Sequence, residues 1–141
     1  NGGSFADSQH LTAEFISKLR FDRSPLPAIA LGTNSSNLTA IGNDYGFEYV
    51  FERELIALHG KNDVFIPIST SGNSTNIIRA IKKASELGIK TYGLSGINAG
   101  KMDDLCTVIR VPSAKTEKIQ ECHIMIGHII CSLIEKEIFK K

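Results

Sequence analysis

Hydroxyl side chains are concentrated between residues 69 and 74, which read Ser-Thr-Ser-Gly-Asn-Ser. An apolar run at residues 64–68 precedes them, and apolar residues at helical spacing begin at Ile77. A strand, a tight turn and a helix N-terminus in this order form an anion site, because free N–H groups and the helix dipole favour negative charge. We predict phosphate binding in preference to simple capping by Ser74 or Asn73. The hydroxyl donors are Ser69, Thr70, Ser71 and Ser74.

Two nucleotide-binding motifs are absent from this stretch. A Walker A loop requires Gly-Lys-Ser/Thr after the turn, and a dinucleotide-binding turn requires Gly-x-Gly-x-x-Gly. Neither pattern occurs here. The predicted ligand is therefore a small phosphorylated molecule.

A second group of residues with chemical potential lies near the start of the chain. His10 and Glu14 are four residues apart in a predicted helix over residues 6–19. Their side chains would lie one turn apart on a common face. Taken alone, this spacing fits a surface pair better than a ligand pair. The four residues before the helix, Asn-Gly-Gly-Ser at positions 1–4, predict a loop.

The elements that must position these residues alternate between strands and helices. Strands are expected at residues 28–31, 64–68, 89–94 and 106–111, and helices at 47–59, 77–87 and 116–139. This alternation predicts an α/β fold, a doubly wound (flavodoxin-like) parallel sheet flanked by helices. Gly88 is expected just past a helix end. Asn43 and Asp44 predict a turn that caps the next helix or contacts a polyol.

Composition limits the class of protein. The chain has 141 residues, enough for one domain, and a formal net charge of +1, which gives no footprint for nucleic acid or an anionic membrane. No apolar run approaches the roughly 20 residues of a membrane span. Three cysteines without C-x-x-C pairing predict reduced core thiols and a cytoplasmic protein. Because the chain begins in a turn, we expect it to lack an N-terminal helix and a first strand.

The predicted helix at 116–139 is apolar on more than one side, which favours packing against another subunit. Two of its polar residues, Gln120 and His128, are eight residues apart, about 12 Å along the helix and roughly 80° around it. Two side chains so placed would only just reach a common point, so a site that needs both could draw them from one subunit or from two, and both alternatives stay open. His123 is interpreted as a core or interface residue, and His59 as a partner of a helix dipole.

Six motifs along the chain resemble those of bacterial phosphoheptose isomerases, which belong to the sugar isomerase (SIS) superfamily. They occur in the family's order over essentially the whole sequence, whereas Ser-Thr-Ser-Gly-Asn-Ser alone indicates only a SIS domain. The motifs are N-G-G-S, D-x-x-H-x-x-x-E, G-N-D-Y-G-F, S-T-S-G-N-S, G-K-M and R-V-P followed by I-Q-E-x-H-I-x-x-x-H-I-I.

The resemblance implies a single SIS domain over residues 1–141 that converts sedoheptulose 7-phosphate to D-glycero-D-manno-heptose 7-phosphate, for lipopolysaccharide core heptose. It implies a homotetramer and one Zn²⁺ per subunit. The implied zinc ligands are His10, Glu14, Gln120 and His128, with Glu14 and His128 as the acid/base pair. The implied substrate-binding residues are Asn1, Gly2, Gly3, Glu14, Asn43, Asp44, Ser69, Thr70, Ser71, Ser74 and Gln120.

One segment departs from the family's pattern, and one competing function stays open. Residues 113–117 are shorter than the family's aromatic-glycine segment, which commonly has an Asp before the last helix, and whether Glu117 replaces that Asp is left open. The alternative function is a non-catalytic SIS protein that binds a sugar phosphate or a replication-initiator partner. The retained His10, Glu14, Gln120 and His128 favour the enzyme, because a binding module needs no acid and base at one carbonyl.

Overall fold

The computed structural model describes residues 1–140 of the chain. These residues form five α-helices, three β-strands and two single turns of 3₁₀ helix, Phe47–Tyr49 and Gly100–Met102. The helices are α1 (Gly2–Ile16), α2 (Ser35–Asp44), α3 (Val50–Leu58), α4 (Thr75–Glu86) and α5 (Thr116–Phe139). The strands are β1 (Val64–Phe65), β2 (Lys90–Ser95) and β3 (Thr107–Arg110).

The strands of the described residues form a parallel sheet in the order β1-β2-β3. Val64 pairs with Lys90, and Tyr92 pairs with Thr107. Helix α3 packs on α4, helix α1 packs on α5, and both α4 and α5 contact β2. The sheet therefore has one group of helices on each flank, which confirms the predicted doubly wound α/β fold.

The core lies where α3 and α4 meet the sheet. Val50, Ile81 and Met102 are fully buried there, together with Phe51 and Ile77. Apolar residues three and four apart on α4 give that helix a buried face, as its sequence pattern predicts. Burial of this face fixes the N-terminus of α4, which carries the predicted phosphate loop.

Several predicted elements are confirmed. The helix predicted at 116–139 is α5, and the helix predicted at 77–87 is α4, which ends at Glu86. Gly88 has a φ of 71°, the left-handed conformation expected of a glycine just past a helix end. Strands β2 and β3 lie within a residue of their predicted bounds.

The first helix is displaced toward the N-terminus relative to its prediction. It begins at Gly2, so residues predicted as a loop form its first turn, and Asn1 holds the N-cap position. It ends at Ile16, not at Leu19. The amide of Leu19 instead donates to the Glu135 carboxylate at 3.2 Å, so the chain leaves the helix to meet α5.

The strand predicted at residues 28–31 is absent from the described part of the chain. Residues 28–30 have no regular secondary structure and Leu31 begins a turn, and none of them pairs with the described strands of the sheet. Ile29 is 62% exposed, whereas a strand inside the sheet would bury it. The predicted strand at 64–68 shortens to Val64–Phe65 and a single bridge at Ile68, because Pro67 between them has no N–H to donate.

Residues 35–44, for which no helix was predicted, form α2. The Asn34 side chain accepts a hydrogen bond from the Asn37 amide and so caps this helix. Leu38 and Ile41 pack against the core. Among the described helices, none is long and apolar enough to cross a membrane.

Candidate functional site

The hydroxyl-rich loop lies between the sheet and α4. The Ser69 amide donates to the Leu94 carbonyl of β2 at 3.0 Å, so the loop starts where the chain stops pairing with β2. The Ser69 hydroxyl lies 3.2 Å from the Ser74 hydroxyl. Ser74 holds the N-cap position of α4, but its side chain makes no capping hydrogen bond. Simple capping therefore does not explain this serine, and its hydroxyl is directed into the loop.

A neighbouring turn holds the loop in shape. The Met102 amide donates to the Gly72 carbonyl at 3.1 Å, and the Lys101 amide donates to Asn73 Oδ1 at 3.0 Å. Gly72 has a φ of 63°, and a Cβ added there would lie 1.6 Å from the Ala99 carbonyl oxygen. Only glycine permits this approach, so the loop packs directly against residues 99–102.

Three predicted metal ligands converge within one chain. His10 and Glu14 lie one turn apart on α1, and His128 faces them from α5. The Nε2 atom of His10 lies 3.2 Å from Glu14 Oε1 and 3.4 Å from His128 Nε2. His128 Nε2 lies 3.8 Å from the same Glu14 oxygen. No partner subunit is needed to bring these three together.

The donor set fits zinc. Two imidazole nitrogens and a carboxylate oxygen are common Zn²⁺ ligands, and tetrahedral bonds of about 2.0–2.1 Å separate ligand atoms by about 3.3 Å. The observed separations of 3.2, 3.4 and 3.8 Å are close to that value. His10, Glu14 and His128 could therefore hold one zinc ion with little movement.

Gln120, the fourth predicted metal ligand, lies against Gly3 in the first turn of α1. A Cβ added to Gly3 would come within 2.7 Å of Gln120 Nε2. This close approach leaves little room for a side chain at position 3. It also brings the side-chain amide of Gln120 beside residues 1–3, which the resemblance implies contact the substrate. Glu117 is exposed in the first turn of α5.

Asn76 is a residue of this region that the sequence analysis missed. Its side-chain amide and that of Asn1 exchange two hydrogen bonds, each of 2.9 Å. Asn76 is buried, and its Oδ1 also accepts from the Ile77 amide. The pair joins the start of α1 to the first turn of α4, next to the hydroxyl-rich loop at residues 69–74. Its position directly after the loop motif is the only signal that could have pointed to it.

Asn43 and Asp44 are the last two residues of α2, not a turn that caps the next helix. The Asn43 amide donates to the Asp44 carboxylate at 2.8 Å, and both side chains are exposed. The following 3₁₀ turn begins after Gly46 without a side-chain cap. Capping is therefore not the role of these residues, and their predicted contact with the sugar stays a prediction.

His123 is a core residue, as predicted. It is fully buried, and its Nε2 lies 3.1 Å from the Ser95 carbonyl oxygen. Burial lowers the pKa of His123, and burial raises the pKa of the nearby Asp7. His59 ends α3 with its Nδ1 2.9 Å from the Ile56 carbonyl, which agrees with a role at a helix C-terminus.

The three cysteines are free, but the predicted core position holds for Cys131 alone, because Cys106 and Cys122 are partly exposed. Cys131, one turn beyond His128 on α5, is buried. Burial, together with the negative charge of Glu14, raises the pKa of the Cys131 thiol to about 11.

Two concavities lie near these groups. The smaller, of about 240 Å³, adjoins the phosphate loop at Thr70 and Ser71 and has further polar lining from Asn98, Ser113 and Thr116. The larger, of about 560 Å³, runs along the outer, apolar face of α5 beside His128. Both clefts have mixed polar and apolar lining, and the smaller one is the cleft that adjoins the hydroxyl-rich loop.

Comparisons with known proteins agree with this geometry. The SIS domain family matches residues 1–96. A phosphoheptose isomerase of Aneurinibacillus thermoaerophilus is 56% identical over 141 residues, covering 99% of this chain and 71% of that protein. The structure of a phosphoheptose isomerase from Francisella tularensis superimposes with a TM-score of 0.92 at 36% identity, covering 96% of this chain and 73% of that one. A phosphoheptose isomerase from Neisseria gonorrhoeae gives a TM-score of 0.85 at 45% identity, covering 95% and 72%.

Proposed function

Because the chain belongs to the phosphoheptose isomerase family of SIS-domain proteins, we propose that it converts sedoheptulose 7-phosphate to D-glycero-D-manno-heptose 7-phosphate. The product would enter the synthesis of lipopolysaccharide core heptose. One observation carries the proposal: a hydroxyl-rich loop at the N-terminus of α4 and a His/Glu/His cluster occur in the same chain. The loop suits the phosphate of such a substrate, and the cluster suits chemistry at a carbonyl.

The reaction moves a proton between adjacent carbons through an enediol. It requires a base at the carbon that loses the proton and an acid at the carbonyl oxygen. We assign these roles to Glu14 and His128, whose reactive atoms lie 3.8 Å apart. A zinc ion held by His10, Glu14, His128 and Gln120 would polarise the carbonyl as a Lewis acid.

The substrate-binding residues follow from the same arrangement. The hydroxyls of Ser69, Thr70, Ser71 and Ser74 would bind the phosphate at the N-terminus of α4. The glycine turn at residues 1–3 and the Gln120 amide would contact the sugar chain, with Asn43 and Asp44 as further contacts. Turnover by the proposed acid/base pair distinguishes this function from a binding module, which would need only the loop.

We also propose that the protein is a cytoplasmic homotetramer. The outer face of α5 carries exposed apolar side chains at Met125, Ile129 and Leu133, and Leu133 is 61% exposed. Such a stripe is typical of a subunit interface. The free thiols at positions 106, 122 and 131 fit a reducing compartment.

The experiment that tests this function uses the full-length protein with sedoheptulose 7-phosphate, and follows formation of the aldose phosphate by NMR. We expect turnover that falls after treatment with a chelator and returns when Zn²⁺ is added. Turnover that is indifferent to chelation would keep the isomerase and remove zinc. Tight substrate binding without turnover would instead support the non-catalytic alternative.

A further inference from the structure

Arg23 and Glu135 form an ion pair that is almost completely buried. Arg23 Nε lies 2.8 Å from Glu135 Oε1, and the side chains are 2% and 1% exposed. Burying two charges has a large desolvation penalty, which their attraction offsets only when the remaining hydrogen-bonding groups are also satisfied. Such a pair is therefore an inefficient way to stabilise a fold, and its other contacts indicate what it does.

The remaining donors of Arg23 cap the end of α1. Nη2 donates to the Glu14 carbonyl at 2.7 Å, and Nη1 donates to the Phe15 carbonyl at 2.7 Å. These carbonyls belong to the last turn of a helix that ends at Ile16, where no intrahelical amide is left to pair with them. A cation at this end also complements the helix dipole. The guanidinium of Arg23 places donors on three separate nitrogens, toward Glu135, Phe15 and Glu14, whereas a lysine ammonium has all of its donors on one atom.

Glu135 holds the same turn from the other side. Its Oε1 accepts from the Leu19 amide at 3.2 Å, and its Oε2 accepts from the Arg20 amide at 2.9 Å. Burial opposes ionisation of Glu135, but hydrogen bonds from these amides and from Arg23 outweigh it and lower its pKa. The carboxylate therefore stays charged and keeps its partners.

This arrangement connects the two helices that carry the metal cluster. Glu14, whose carbonyl Arg23 binds, has its carboxylate oxygen 3.2 Å from His10 Nε2. Glu135 lies seven residues after His128, two turns along the same face of α5. The end of α1 has other bonds, since the Ser17 amide donates to the Ala13 carbonyl at 2.8 Å and the Leu26 amide donates to the Phe15 carbonyl at 3.0 Å. Arg23 is the group that binds the carbonyl of Glu14 itself.

We infer that the Arg23–Glu135 pair is a positioning device that sets Glu14 against His128, so that losing it weakens zinc binding more than losing an equivalent ion pair elsewhere. The inference rests on the zinc site of the proposed function. Neither residue touches the metal or the substrate in this account. They act through the last turn of α1.

The test measures Zn²⁺ affinity by competition with a chromophoric chelator, in full-length wild type, Arg23→Lys and Glu135→Gln. Arg23→Lys keeps the charge and removes the fork, and Glu135→Gln keeps an acceptor and removes the charge. We expect both to raise the Kd for Zn²⁺ about tenfold or more, the loss typical when a supporting group of a metal ligand is removed. The absorption spectrum of the Co²⁺-substituted protein should change in the same variants.

Glu52→Gln is the control for loss of an ion pair elsewhere, in a pair that is more exposed than Arg23–Glu135. Glu52 binds Arg79 at 2.6 Å between α3 and α4, in the other group of helices, and its loss should leave the Kd for Zn²⁺ within about twofold. The KM for sedoheptulose 7-phosphate should change little in Arg23→Lys, because the phosphate loop is untouched, while kcat falls.

Each other result decides against the inference. Wild-type Zn²⁺ affinity and an unchanged Co²⁺ spectrum in Arg23→Lys and Glu135→Gln would show that the pair is only structural. If both variants are unfolded at 25 °C while Glu52→Gln is folded, the pair is a folding determinant and not a positioning device. If the wild-type protein itself binds no zinc, the proposed metal site fails first, and the inference fails with it.

Discussion

Replacing Gly72 with alanine should destabilise the fold and weaken substrate binding together. Two separate costs apply. The φ of 63° is left-handed, which costs an L-residue about 1–2 kcal/mol. The added Cβ would lie 1.6 Å from the Ala99 carbonyl oxygen, and overpacking of this kind typically costs about 1–3 kcal/mol. Alanine returns about 0.4–1 kcal/mol by restricting the unfolded chain. The net loss is therefore about 3 kcal/mol.

Gly88 provides a control that isolates the backbone cost. It has a similar φ of 71°, but a Cβ added there would have no heavy atom within 4 Å. Gly88→Ala should therefore lose only about 1 kcal/mol, the backbone cost less the gain from the unfolded chain. For a chain of this length a difference of about 2 kcal/mol between the variants corresponds to roughly 6–8 °C in Tm.

Urea unfolding and thermal melts of both variants measure this difference, with the slope of the urea transition checked for two-state behaviour. The catalytic readout is the KM for sedoheptulose 7-phosphate, and inhibition by inorganic phosphate reports on the loop alone. We expect both to weaken in Gly72→Ala and to be unchanged in Gly88→Ala. If Gly72→Ala is no less stable than Gly88→Ala, the packing of the loop on residues 99–102 has been misjudged.

Three further predictions concern the acid/base pair, the assembly and the core. Glu14→Gln should abolish turnover in the NMR assay and leave the circular dichroism spectrum unchanged, because a neutral amide cannot take the proton. Leu133→Asp should lower the mass measured by light scattering, because it puts a charge into the proposed interface. The free energy of unfolding should fall as the pH drops from about 7 to about 5, because His123, whose pKa burial lowers, binds its proton more readily in the unfolded chain. His123→Gln should make the free energy of unfolding depend less on pH in this range. Asp7, whose pKa burial raises, has the opposite effect at lower pH, because it binds its proton more readily in the folded chain.

Each of these expectations has a result that contradicts it. Residual activity in Glu14→Gln would remove that carboxylate from the acid/base pair. An unchanged mass for Leu133→Asp would mean that the apolar face of α5 is not the interface. An equal pH slope in wild type and His123→Gln would assign the acid sensitivity to other groups.

The sequence predicted best those elements whose signals are local. The apolar periodicity of α4 and α5 and the glycine at position 88 are determined within a few residues. The position of the hydroxyl-rich loop before α4 was also predictable, because the strand, the loop and the helix follow one another in the sequence. Phosphate binding by this loop stays a prediction. Local signals were weaker for α2, whose Asn34 cap lies in a run of polar residues that reads equally well as a loop.

The missed features depend on contacts between distant parts of the chain. The end of α1 is set by Glu135, more than 100 residues away, which draws the Leu19 amide out of the helix. The pairing of Asn1 with Asn76 likewise joins residues 75 positions apart. Residues 28–31 have the apolar composition of a buried strand, but a segment becomes a strand only when another strand pairs with its backbone. The convergence of His10, Glu14 and His128 was suggested by resemblance, and the α1–α5 packing supplies its geometry.

The labelling rate of the buried Cys131 thiol would report how often α1 and α5 separate. A thiol reacts as the thiolate, and with a pKa of about 11 and almost no exposed surface, Cys131 should react only when α1 separates from α5. In a variant whose other two cysteines are replaced, the labelling rate would report how often this opening occurs. Zinc bound between the helices should slow labelling of Cys131. The labelling rate would therefore report both the opening of the metal-free site and the fraction of sites that hold zinc.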